Sequence, residues 1–93
     1  MQIMQRKLVA SSTVVAAELE DEAVLLNVET GLYFGLDAVG SEVWKLLEQG
    51  ATENDISARV LAEFDADPRQ LQIDLREFLD QLVEHGLVLV EES

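Results

Sequence analysis

The chain has 93 residues, 48% of them hydrophobic, and sets 19 acidic against 6 basic side chains for a net charge of -13. Length and apolar content suit one domain around one core, and the excess of carboxylate argues against a phosphate-backbone ligand, which needs clustered Lys and Arg. Cysteine is absent, which removes disulfides, thiolate metal sites and a cysteine nucleophile and fits a reducing cytoplasm.

The N-terminal MQIMQRKLVASSTVV carries Arg6 and Lys7 without an apolar run long enough for a signal peptide. No window nears the roughly 18 apolar residues of a membrane span. An unexported chain with no membrane partner is expected. Next comes a third of the chain rich in β-branched residues: TVVAAELE (13–20), AVLLNVE (23–29) and LYFGLD (32–37). Apolar-polar alternation and connections this short predict three antiparallel strands in a meander, with the third at an edge.

Gly35 sits in the middle of that third strand, between Phe34 and Leu36. An interior glycine weakens a strand, so it marks either a bulge or a place where another backbone comes close. Alternation puts Tyr33 and Gly35 on one face and Leu32, Phe34 and Leu36 on the other.

After Asp37 the period becomes helical. Val39, Val43, Leu46 and Leu47 form a stripe around Trp44, and Gly50 closes a helix at about 38–49. Thr52 opens a second helix at about 53–64, with Asp55 as the acidic partner in a capping box. Asp67 as N-cap, Pro68 in the first turn and Gly86 as terminator bound a third at about 68–85. LVLV (87–90) reads as a short terminal strand. On a wheel of the third helix Leu71, Leu75, Phe78, Leu79 and Leu82 share the core arc, with Val83 at its margin. Ile73 falls outside it beside Arg69, Gln72 and Arg76, so it is either an incidental surface residue or part of a ligand face.

Little here reads as catalysis. His85 is the lone histidine, one residue before Gly86, where a cation suits the helix dipole, and no nucleophile elbow accompanies it. Glu18, Glu20, Asp21 and Glu22 lack the spacing of a calcium loop and read as a solvated turn. Trp44 reads as a core anchor.

Several short motifs in fixed order remain: Leu36-Asp37; Gly40 four residues before Trp44; Gly50 with Thr52; Asp74 with Phe78, Leu79 and Leu82; and Gly86-Leu87-Val88. Over about residues 14–90 this succession resembles the PqqD family, named for pyrroloquinoline quinone biosynthesis protein D. The resemblance implies an α+β, winged helix-turn-helix fold: a three-stranded antiparallel sheet followed by three helices in a single domain spanning 1–93. It further implies a non-catalytic recognition element for the leader segment of a ribosomally made precursor peptide. In that family the leader adds as a strand to the third strand and lies against the third helix. Carried onto this chain, the candidate peptide-contacting residues are Leu32, Tyr33, Phe34, Gly35, Leu36, Arg69, Gln72, Ile73, Asp74, Arg76 and Leu79.

The TGLYFGLD version resembles the stand-alone members of lasso-peptide clusters. Implied partners are the precursor leader and a leader peptidase, with a cyclase or other modifying enzyme beyond it. No cofactor and no metal are expected, and a monomer is. Two alternatives stand beside this: a PqqD-type chaperone that delivers a precursor to a radical enzyme, and a winged-helix DNA-binding protein. The last is opposed by charge, since the third helix sets Asp74, Glu77, Asp80 and Glu84 against Arg69 and Arg76 and would repel phosphate.

Overall fold

A computed structural model describes residues 7–20, 22–65 and 67–91. Within them the element order is β1 (Lys7–Ala10), β2 (Val14–Leu19), β3 (Glu22–Asn27), β4 (Tyr33–Leu36), α1 (Ala38–Glu48), α2 (Glu53–Glu63), α3 (Pro68–Glu84) and β5 (Val88–Glu91). The strands β2, β3 and β4 form an antiparallel sheet in chain order, so β2 and β4 are its edges. The three helices follow it in the winged helix-turn-helix order. Of the acidic run, Glu18, Glu20 and Glu22 are exposed around the β2–β3 turn, and Asp21 lies outside the described residues.

Helix ends fall where their chemistry requires. Asp37 caps α1 by accepting from the Gly40 N–H at 2.8 Å. Thr52 and Asp55 close a reciprocal capping box on α2, each side chain accepting the other's backbone N–H at 3.2 Å. Asp67 caps α3 ahead of Pro68. Gly50 and Gly86 follow α1 and α3 at φ +87° and +74°, a left-handed conformation in which a side chain would be strained.

The turn before β4 is similarly specified. Asn27, almost fully buried, accepts the N–H groups of Glu29 and Thr30 on its side chain and that of Gly31 on its carbonyl, while its own N–H donates to the Leu32 carbonyl. The turn therefore delivers β4 in one register.

The sheet packs one face on the helices. Ala23 and Leu25 of β3 and Leu36 of β4 join Val43, Trp44, Leu47, Ile56, Val60, Leu75, Leu79 and Leu82 in a single core. Trp44 is 2% exposed, the core anchor that its helical position predicts. The small strands β1 and β5 pair antiparallel, Leu8 opposite Val90. β1 has no counterpart among the expected elements. Its four residues bury chiefly Leu8, and its partner is contributed from the far end of the chain, so no local pattern announces it.

Candidate functional site

Hydrogen-bond phase decides what β4 offers. Because Asn27 N–H donates to Leu32 O, the register Leu25↔Phe34 and Ala23↔Leu36 carries the ladder bonds, and Tyr33 and Gly35 occupy the alternate positions. Their N–H and C=O groups therefore point away from β3, at the open edge. The bulge reading of Gly35 is overturned: Val24↔Gly35 lies within an unbroken ladder, and Gly35 is not among the positive-φ residues. A Cβ built on it would meet nothing within 4 Å.

Beside that edge lies a cleft of about 650 Å³ lined by Phe34 to Asp37, by Val39, Gly40 and Val43 of α1, by Val60 and Phe64 at the α2 end, and by Leu71, Asp74, Leu75, Phe78 and Gln81 of α3. Two contacts set its width. Phe34 packs its ring on Phe78, centroids 6.5 Å apart, and on His85 at 5.6 Å, which fastens β4 to α3. Gly40 lets α1 come close, since a Cβ there would stand 3.3 Å from Phe78 Cζ and 3.3 Å from Asp37 Oδ1. The glycine four residues before Trp44 is thus a close-approach residue at the cleft wall.

Of the residues anticipated from sequence, Phe34, Gly35, Leu36 and Asp74 line this cleft. Leu32 precedes β4, half-buried, with its carbonyl engaged by Asn27. Tyr33 presents its backbone at the edge but its side chain, 69% exposed, on the sheet face away from the helices. Arg69, Gln72 and Ile73 are exposed residues of α3 outside the lining, and Leu79 is core.

Arg76 lies 3.8 Å from Glu53 Oε2 and 3.7 Å from Asp80 Oδ1. Glu53 is buried, 1% exposed, so this guanidinium is drawn toward α2 to accompany an otherwise costly charge. The α1 and α2 wall, and Leu71, Leu75, Phe78 and Gln81 on α3, were not anticipated. Gly40 inside a helix, with Phe78 in the same motif set, is the sequence signal that pointed there.

The outer face of the sheet is a second feature. Val15, Ala17 and Leu19 on β2, Val24 and Leu26 on β3, and Tyr33 and Gly35 on β4 share it by register. Val15 and Leu19 are 56% and 57% exposed. Glu22, opposite Leu19, shares this face, so its exposed apolar side chains are bordered by a carboxylate at the β2–β3 turn.

The family model described as Coenzyme PQQ synthesis protein D (PqqD) matches residues 22–88, from β3 to the start of β5. This chain belongs to the PqqD family. Two solved structures resemble this PqqD-family chain. One, TbiB1 in complex with the TbiA(beta) leader peptide, is 42% identical at TM-score 0.84 and covers 91% of this chain and 99% of its own. The other, a lasso peptide synthetase B1 complexed with the leader peptide, is 20% identical at TM-score 0.79, covering 88% and 96%, and speaks to fold alone. No curated protein matches.

Proposed function

We propose that this chain is a non-catalytic recognition element of lasso-peptide biosynthesis that binds a precursor's leader segment and presents it to a leader peptidase. The observation that carries the reading is the open edge of β4, with the Tyr33 and Gly35 backbone groups turned outward, directly beside an apolar cleft. Strand addition at such an edge draws affinity from main-chain hydrogen bonds, and an adjoining cleft selects side chains. β2 is also an edge, but the cleft flanks β4. The 42%-identical TbiB1 was solved with a leader peptide, which supports the same ligand class here.

Titrating the TbiA(beta) leader into the protein tests this: binding in the micromolar to nanomolar range, about -8 to -12 kcal/mol, is expected. Absence of heat together with failure to displace labelled leader would refute it.

The peptidase is placed on the outer sheet face because a leader strand added to β4 extends that face, making one surface of protein and ligand. Val15→Lys with Leu19→Lys, on the strand farthest from β4, is expected to leave leader affinity within about two-fold. It should slow peptidase-dependent leader removal at least about ten-fold, as loss of a central apolar contact does. Quantitative mass spectrometry of precursor cleavage measures this, with the protein alone producing no mass change. Cleavage at wild-type rate by the double variant would move the peptidase elsewhere.

Delivery to a radical enzyme, the alternative implied by the family resemblance, would use the same edge and is separated by which enzyme the loaded protein activates. DNA binding is disfavoured by the net charge of -13 and by Arg76 being held among carboxylates.

A further inference from the structure

Asp74 stands out among the residues of the cleft. The cleft is mainly apolar, and its other carboxylate, Asp37, already commits Oδ1 to the N-terminus of α1 at 2.8 Å from Gly40 N. The Asp74 side chain is exposed, and its Oδ1 accepts from the neutral amide of Gln70 at 2.9 Å. The ion pairs of α3 among the described residues run from Arg76 to Glu53 and Asp80, leaving Asp74 without a cation. A carboxylate has about four acceptor positions, and among the described residues Gln70 takes one of these.

We infer that Asp74 is a specificity determinant that pairs with a Lys or Arg side chain of the bound leader. The inference rests on the leader-binding reading and names the chemistry of one leader position. Three observations converge on a cation. Asp74 borders the cleft beside the open edge of β4, within reach of a strand added there. Asp37 and the net charge of -13 add a negative potential that draws cations and repels acidic peptides. Among the described residues no Lys or Arg lines the cleft, so a cation entering it meets Asp74 and Asp37 without a competing positive charge. A neutral donor would satisfy the carboxylate's geometry and forgo that field.

The test uses fluorescein-labelled TbiA(beta) leader peptides in which each position is replaced in turn by Lys, Gln and Glu, titrated with wild type, Asp74→Asn and Asp74→Lys. At one position wild type should prefer Lys over Gln by about five-fold, in the range of a partly exposed ion pair, and reject Glu. Asp74→Asn should abolish that preference, and Asp74→Lys should invert it toward Glu. If Lys and Gln bind alike at every position, or a Lys preference survives in Asp74→Asn, the inference is overturned while leader binding stands. If wild type binds none of the peptides, the leader-binding reading falls and takes the inference with it.

Discussion

Gly35→Pro should leave the domain folded and lower leader affinity at least about ten-fold, or 1.4 kcal/mol. The residue sits at a position of β4 that makes no ladder bond to β3, since those bonds fall on Phe34 and Leu36. Proline therefore removes no internal hydrogen bond, and an edge strand with its N–H turned outward is where a sheet accepts it. The residue before a proline is pushed to extended geometry, which Phe34 already has as part of β4. What is lost is the donor an incoming strand would use, worth about 1 kcal/mol, and the ring obstructs that strand as well. Gly35→Val makes the complementary control: its Cβ enters open space and β-branching suits a strand, so melting temperature should hold or rise. Thermal melts and leader titrations on both variants decide the matter. A Gly35→Pro protein that is folded and binds normally would remove the β4 edge from the site.

The parts legible in the sequence are those governed by neighbours along the chain. Asp37, Thr52 with Asp55, Asp67 with Pro68, and the glycines at 50 and 86 each act within one turn, and their helices end within a residue of expectation. The turn that feeds β4 is local too. Burial of Trp44 and Leu79 and exposure of Ile73 follow from helical period alone.

What was not legible depends on contacts between distant segments. A helical wheel says which residues leave the core, but not which flank meets β4. The flank is set by Phe34 packing on Phe78 and His85, and it places Leu71, Asp74 and Phe78 at the cleft while Ile73 lies about 160° around the helix from Leu71. Arg69 and Arg76 drew attention to Ile73 as cations beside an apolar residue. Arg76 instead accompanies Glu53, an acidic residue at the start of α2 whose burial nothing in its local pattern indicates. β1 was beyond local reading for the same reason, being completed by the opposite end of the chain, whereas the strand expected at 87–90 is β5, Val88–Glu91.

Replacement of Val39 by aspartate should nearly abolish leader binding with little cost to the fold. Val39 is half-buried in the first turn of α1 and lines the cleft. A leader side chain seated there gains about 1.5–3 kcal/mol from apolar burial. An aspartate at the same point forfeits that gain and sets a hydrated charge against the apolar side chain seated there, so affinity should fall about a hundred-fold, or 2.7 kcal/mol. For the fold the signs differ. The first turn of α1 holds no acidic residue, and a carboxylate near a helix N-terminus contributes about 0.3–1 kcal/mol, which offsets most of the packing lost by removing a half-buried valine. Val39→Ile keeps the apolar wall and should bind within about three-fold of wild type, consistent with the small cost of near-isosteric apolar exchange. Circular-dichroism melts and leader titrations on the two variants give the comparison. If Val39→Asp stays folded and binds as wild type does, the leader does not enter this cleft, and its side chains must be read by the outer sheet face instead.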